Sequence, residues 1–327
     1  MELERLYAEH SGKVSVKWFS YLAEYDRIFD AHRDRHVRLL ELGIQNGGSL
    51  EIWGKYFPYA DKLLGCDIDP NCTHLTYEDP RIALVIGDAN SDAIQAAILE
   101  HSRTFDVIID DGSHRSSDIV KSFGRYFPRL VDGGIYVVED LHCSYWQEYE
   151  GGLFDPFSSV TFFKRLVDVI NYEHWGIEKN RSDVFLGFFA RYGFHMAEED
   201  LKHIHSIEFV NSMCVIRKGN PDHNSLGHLF VAGSVEMVAL GHMDMHLRQN
   251  LLLEQTANEW STRSIPTDEE LWLCLQEMRE RDEQINNLNE AIAERDGQIQ
   301  GIISSTSWLI TKPIRIVGRI LRKYFKS

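Results

Sequence analysis

The stretch that decides the fold is FDVIIDDGSH, residues 105–114. A second stretch of the same design, GIYVVEDL, spans residues 134–141. Each is a short apolar run that ends in two carboxylates, and Glu139 follows Asp111 by 28 residues. One strand, a crossover helix and the next parallel strand need about 30 residues. The spacing therefore predicts two neighbouring parallel strands.

These two strands bring four carboxylates to one edge of the predicted sheet. Neighbouring strands lie about 5 Å apart, so their carboxyl ends would meet. Unpaired carboxylates repel one another, and a hard divalent cation would relieve the repulsion. The nearby His114 offers a nitrogen that can accept a proton. Helix capping and loop hydrogen bonds are the alternative use of the acids, which are Asp110, Asp111, Glu139 and Asp140.

Strand and helix alternate from residue 37 to residue 218, which predicts an α/β fold with a doubly wound, Rossmann-like parallel sheet. Two closing segments, residues 204–210 and 213–218, predict a terminal antiparallel hairpin. The three strands before the acidic pair are predicted at residues 37–42, 62–67 and 82–86.

The ends of these first strands suit an adenosine-shaped ligand. The loop ELGIQNGGS, residues 41–49, opens a helix, and its glycines and free N–H groups allow a ligand to approach closely. Asp67 is placed to accept hydrogen bonds from ribose hydroxyls, with Asp69 as a competitor. Asp88 could accept from an adenine amino group or simply belong to a turn.

Together, ELGIQNGGS, GCDIDP, FDVIIDDGSH and IYVVEDL resemble motifs of class I S-adenosylmethionine-dependent methyltransferases. More specifically, they resemble the metal-dependent sugar O-methyltransferases of the macrocin and mycinamicin type and their cephalosporin-hydroxylase-type relatives. The resemblance covers about residues 37–218 and implies S-adenosyl-L-methionine as cofactor and Mg²⁺ (or Mn²⁺) as metal. Gln45 stands where a middle glycine would be, which leaves the detailed loop contacts open.

The resemblance also implies roles for individual residues. The general base would be His114. His142 is a reserve candidate on a separate ground, because it lies just after the second acidic pair. The metal ligands would be Asp111, Glu139 and Asp140. The cofactor contacts would be Glu41, Gly43, Gly47, Asp67, Asp88 and Asp110.

The predicted reaction is methylation of a sugar hydroxyl. Such a hydroxyl is a poor nucleophile until a divalent cation lowers its pKa and a base removes its proton. The alkoxide would then attack the sulfonium methyl group. Residues 142–158 form a long loop rich in aromatic side chains, which could stack on a sugar ring or simply pack on the surface.

The composition limits which binding partners and which cellular compartment are expected. A net charge of -16 argues against a nucleic-acid partner. Five scattered cysteines without a CxxC pair predict reduced thiols in the cytoplasm. The N-terminus lacks the apolar region of a signal peptide, and no run of 18 apolar residues predicts a membrane span.

Four segments flank the predicted methyltransferase domain of residues 37–218. Residues 1–36 are predicted to be helical, and residues 219–266 to form a helical connector. Residues 267–303 predict a coiled coil that makes a homo-oligomer or docks a glycosyltransferase, or else a helix packed on its own domain. Residues 304–327 hold six basic residues and no acid. They predict either a basic amphipathic helix on an anionic membrane or a frayed tail.

The leading functional prediction is a metal-dependent O-methyltransferase acting on a glycan or glycosylated precursor in bacterial surface-polysaccharide (O-antigen) biosynthesis. The enzyme would be peripheral at the inner face of the cytoplasmic membrane. The segment TSWLITKP, residues 306–313, resembles tails of surface-polysaccharide assembly proteins. The alternatives are an O-methyltransferase of a small-molecule natural product and an inert methyltransferase-like scaffold that recruits glycan-assembly partners.

Overall fold

The computed structural model describes residues 1–249 and 251–324, and within them seven strands form one sheet. The spatial order is β3-β2-β1-β4-β5-β7-β6. Strands β1 to β5 are parallel, whereas β7 pairs antiparallel with both β5 and β6. The strands are β1 Arg38–Leu42, β2 Lys62–Asp67, β3 Ile82–Ile86, β4 Phe105–Asp110, β5 Leu130–Val138, β6 Ile204–Val210 and β7 Met213–Lys218.

The two acidic strands are parallel neighbours, as their spacing predicts, with Asp110 paired with Val138. Successive side chains of these strands point to opposite faces of the sheet. Ile109 and Val137 belong to the hydrophobic core shared with the N-terminal helices. Tyr136 points the other way, where its ring lies 5.1 Å from that of Phe123. Both faces of the sheet are therefore covered, as the near-continuous apolar strands require.

α-Helices cover the sheet, and loops and short 3₁₀ turns join them within residues 1–266, which form one compact unit. Some of them begin at a polar cap; Ser91 and Ser158, for example, accept backbone N–H groups of α4 and α6. The helices are α1 Glu2–Ala8, α2 Phe19–Phe29, α3 Gly48–Tyr56, α4 Asp92–His101, α5 Ser116–Tyr126, α6 Ser159–Ile170, α7 Leu186–Tyr192, α8 Glu198–Lys202 and α9 Glu259–Thr262.

The N-terminal segment is helical only in part. Residues 9–18 leave the helical path between α1 and α2, because their polar groups pair with the rest of the domain. The Val14 carbonyl, for example, accepts from the Gly48 N–H at 3.2 Å. The aromatic stripe of α2 packs in the core, where Tyr25 and Phe29 are fully buried.

The connector differs from its prediction. Helices are expected within residues 226–254, but the described residues of this segment form only one short 3₁₀ turn, Met243–Met245. Gly227, Gly233 and Gly241 adopt left-handed φ angles of 74°, 98° and 92°. A left-handed residue ends a helix, so the apolar spacing here was misleading.

The residues from Thr267 onward form a second compact unit. It consists of α10 Thr267–Ser304, α11 Thr306–Ile310 and α12 Lys312–Tyr324. The apolar stripe of α10 is exposed in the single chain, so the coiled coil stays a prediction. Among the described residues, no helix combines the length and the apolar character needed to cross a membrane.

Candidate active site

A cleft of about 410 Å³ opens at the carboxyl ends of the parallel strands. This is the edge at which open α/β sheets bind ligands. Three predicted site residues are buried and do not line the cleft: Glu41, Gly47 and Glu139. The remaining predicted residues line it together, namely Gly43, Asp67, Asp88, Asp110, Asp111, His114 and Asp140.

The glycine loop after β1 is held in place by Asp67. One carboxylate oxygen accepts the N–H groups of Ile44 and Gln45 at 2.9 and 2.8 Å. Gly43 has a left-handed φ of 84°, and a Cβ there would lie 2.1 Å from the Asp111 carbonyl oxygen. The loop therefore requires glycine at this position and leaves a cradle next to the cleft. A ribose contact for Asp67 stays a prediction.

Asp88 and Gly47 each have a structural role, and for Asp88 the sequence offered this as an alternative. Asp88 accepts the Asn90 N–H at 2.9 Å, which is the turn alternative. Gly47 has a φ of 76° and precedes the first turn of α3. Both positions border the predicted cofactor region, and their contacts to a cofactor remain predictions.

Two acids of the cleft region are deeply buried. Glu41 accepts the Ser49 hydroxyl at 2.7 Å, and burial raises its pKa. Asp110 accepts the Tyr136 hydroxyl at 3.2 Å, and burial raises the pKa of Asp110 to about 7. Neither carboxyl belongs to the converging group described next.

Asp111, His114 and Asp140 each point one potential ligand atom at a common centre, with these atoms within 4.8 Å of one another. The His114 Nε2 lies 3.7 Å from Asp140 Oδ2 and 4.0 Å from Asp111 Oδ1. The two carboxylates are oxygen donors of the kind that Mg²⁺ and Mn²⁺ prefer, and the imidazole lies beside them where it can serve as the base. The donor set therefore fits the implied metal.

Glu139 is placed differently from the other two predicted ligands. Its side chain is buried, and its Oε1 receives hydrogen bonds from Lys17 Nζ and from the Tyr25 hydroxyl. Lys17 also lies 2.5 Å from Asp111 Oδ2. A metal-ligand role for Glu139 therefore stays a prediction. Sequence reasoning missed Lys17 because no motif marks it and 94 residues separate it from Asp111.

Several aromatic side chains lie next to Asp140 and His114. Trp18 donates from Nε1 to Asp140 at 2.9 Å while its side chain stays largely exposed. The ring of His142 lies 5.9 Å from Trp18 and 5.0 Å from Trp146. Tyr149 of the same loop lies 6.5 Å from His114. The predicted aromatic loop thus lies next to the predicted base, where aromatic faces could contact a sugar ring.

No protein-family model matches the chain. Curated relatives do match. The 8-demethyl-8-alpha-L-rhamnosyl tetracenomycin-C 2'-O-methyltransferase of Streptomyces olivaceus is 37% identical over 171 residues, covering 49% of this chain and 44% of that protein. The demethylmacrocin O-methyltransferase of Streptomyces fradiae is 36% identical over 179 residues, covering 51% and 44%. The chain thus spans less than half the length of these relatives.

A solved structure shares the fold. It is the MycE methyltransferase from the mycinamycin biosynthetic pathway, in complex with Mg, SAH and mycinamycin VI. The TM-score is 0.53 with 26% sequence identity, over 68% of this chain and 53% of that one. The resemblance drawn from the motifs is confirmed: in sequence and in fold, the chain is related to the class I S-adenosylmethionine-dependent sugar O-methyltransferases.

Proposed function

We propose that this protein transfers a methyl group from S-adenosyl-L-methionine to a sugar hydroxyl of a glycosylated small molecule, with the help of a divalent cation. The observation that carries the proposal is the convergence of Asp111, His114 and Asp140 at the mouth of the cleft. The related fold binds Mg and SAH in MycE, which supports the same pair of ligands here.

The choice of substrate class rests on the relatives. Their names describe methylation of sugar-bearing tetracenomycin and of demethylmacrocin. A third relative, from Micromonospora griseorubida, is a mycinamicin VI 2''-O-methyltransferase with 35% identity over 178 residues, 51% of this chain and 43% of that protein. These are small-molecule substrates. The natural-product alternative is therefore better supported than surface-polysaccharide biosynthesis, which none of these names suggests.

The mechanism follows from the positions of the chain's own groups. Asp111, Glu139 and Asp140 would hold the cation, and the glycine loop and Asp67 would shape the cofactor side of the cleft. When bound, the cation lowers the pKa of a coordinated hydroxyl and the cofactor offers an electrophilic methyl group. His114 accepts the hydroxyl proton, and the adjacent carboxylates stabilise the imidazolium that forms. Holding both reactants in one cleft removes much of the entropic barrier.

We also propose that α12 binds an anionic membrane surface from the cytoplasmic side. Ile314, Val317, Ile320 and Leu321 lie on one side of this helix and are at least half exposed. Phe325, predicted on the same side, lies outside the described residues. The opposite side carries only basic charge among the described residues, from Lys312, Arg315, Arg319, Arg322 and Lys323. This arrangement complements anionic headgroups above an apolar layer.

For α10, we propose pairing with a second copy of the chain. Its exposed apolar residues recur at steps of three, four and seven with charged residues between them, which suits a coiled coil. A glycosyltransferase docked on the same stripe is the alternative predicted from the sequence. The stripe consists of Leu271, Leu275, Met278, Ile285, Leu288, Ile292, Ile299 and Ile302.

The proposed activity is tested by methyl transfer from labelled S-adenosyl-L-methionine to a panel of glycosides and glycan precursors. We expect transfer to a glycosylated small molecule that requires Mg²⁺ or Mn²⁺ and stops with chelator. Asp140→Asn serves as the matched variant and should lose metal binding together with the activity. Transfer that is unaffected by chelator, or no thermal response to SAH, would contradict the proposal.

A further inference from the structure

Lys17 is a buried cation in the middle of the acid cluster. Its side chain is only 2% exposed. Its Nζ lies 2.5 Å from both Asp111 Oδ2 and Glu139 Oε1, and 3.7 Å from Glu41 Oε1. The residue comes from the loop between α1 and α2, so a distant part of the chain supplies positive charge to this edge of the sheet.

The charge on Lys17 is secured by its surroundings. The carboxylates of Asp111, Glu139 and Glu41 surround its Nζ at 2.5, 2.5 and 3.7 Å and balance its charge. A buried ammonium is tolerated only when it is paired in this way. Lys17 therefore acts as a fixed positive charge.

The same two carboxylates are two of the three predicted metal ligands. Because the Lys17 ammonium pairs with both Asp111 and Glu139, a cation held by these two residues would have to displace it. While Lys17 holds this position, the carboxylate oxygens that face His114 are Asp111 Oδ1 and Asp140 Oδ2. Glu139 is engaged elsewhere.

We propose that Lys17 competes with the divalent cation for Asp111 and Glu139 and so sets the metal affinity of the site. This inference rests on the proposed metal-dependent function. Lys17 is a positioning residue in this scheme: its ammonium holds the two carboxylates together in the metal-free protein and would release them to the metal.

Displacement of Lys17 by a metal would also change the wall of the cofactor cleft. Val14, Ser15 and Val16 line the cleft together with Lys17. When Asp111 and Glu139 turn to a metal, this part of the cleft wall loses the contact that Lys17 provides. The amide protons of residues 13–17 should then exchange faster with solvent.

The test compares Mn²⁺ affinity, measured by titration calorimetry at fixed pH, in the full chain and three variants. Lys17→Met removes the charge at similar length, and we expect Mn²⁺ to bind at least about tenfold tighter. Lys17→Arg keeps a cation and should stay near the wild-type affinity. Lys13→Met is the matched control, because Lys13 pairs with Glu51 instead, at 2.7 Å, and should also leave the affinity unchanged.

The outcomes separate this inference from the proposed function. Mn²⁺ binding by wild type with equal or weaker binding by Lys17→Met would overturn the inference alone. Absence of Mn²⁺ binding in every variant would overturn both. If Lys17→Met does not fold, hydrogen exchange in the wild-type protein decides: faster exchange of residues 13–17 with Mn²⁺ supports competition, and unchanged or slower exchange rejects it.

Discussion

The His114 Nε2 lies 3.7 Å from Asp140 Oδ2, and both residues have left-handed backbone conformations, with φ angles of 58° and 54°. Non-glycine residues held in this region cost of order 1–3 kcal/mol each, and such residues cluster at functional sites. The two strained loops follow neighbouring strands β4 and β5. Their conformations turn an imidazole and a carboxylate toward one centre.

The role of His114 is tested by His114→Ala. We expect methyl transfer to fall by about 10²- to 10⁴-fold, the usual contribution of a general base. Affinity for SAH, measured by calorimetry, should stay close to wild type because the change leaves the glycine loop intact. His142→Ala is the comparison, since His142 Nδ1 lies 2.5 Å from the Ser212 hydroxyl and 3.9 Å from Asp140. Activity that survives the first change and disappears with the second would move the base to His142.

Asp67 should support the cofactor and not the metal. Asp67→Ala removes a charged acceptor from the N–H groups of Ile44 and Gln45, so we expect SAH affinity to fall about tenfold or more. Mn²⁺ affinity should hardly change. Asp69→Ala is the control, because Asp69 accepts mainly from Asn71 outside the loop. Unchanged SAH affinity in Asp67→Ala would show that the loop does not depend on Asp67.

The buried Asp110 predicts a pH dependence of stability in the metal-free and cofactor-free protein. Burial raises the pKa of Asp110 from 3.8 to about 7, so between these values the folded state keeps a proton that the unfolded chain has released. Stability from this group is therefore full at acid pH and falls as the pH rises toward 7.

Asp110→Asn cannot ionise. Relative to wild type, its free energy of unfolding should rise across this window by up to about 1.4 kcal/mol per pH unit. Urea denaturation at a series of pH values measures the difference. Asp34→Asn, at an exposed position, provides the baseline. Curves for Asp110→Asn and wild type that run parallel from pH 4 to pH 7 would contradict the prediction.

The proposed membrane contact of α12 depends on its basic face. Replacing Arg319 and Arg322 by glutamate should weaken binding to anionic vesicles at least about thirtyfold, at roughly 1 kcal/mol per basic residue. The same exchange at Arg279 and Arg281 of α10 changes the net charge equally and should leave binding as it was. Vesicle co-sedimentation at low and high salt measures both. Equal binding of all three proteins would refute a basic-face contact.

The fold was largely accessible from local patterns in the sequence. Short apolar runs ending in acids predict parallel strands, because both faces of such strands are buried and their spacing leaves room for one crossover helix. The glycine loop is also a local pattern in the sequence. The structure adds the reason for Gly43, because a Cβ there would collide with the Asp111 carbonyl oxygen. The apolar spacing of residues 226–254 misled us because left-handed glycines override periodicity. No prediction covered α7 and α8, whose short lengths leave little pattern to detect.

The order of residues along the chain determined which acids meet at the edge of the sheet and which histidine follows them. Only the folded structure decided what surrounds those acids. Lys17, Trp18, Tyr21 and Tyr25 reach Asp111, Glu139 and Asp140 from 94 to 122 residues away. Periodicity is a local property and can be read from neighbours along the chain. Charge pairing acts through space, so it depends on how distant segments pack.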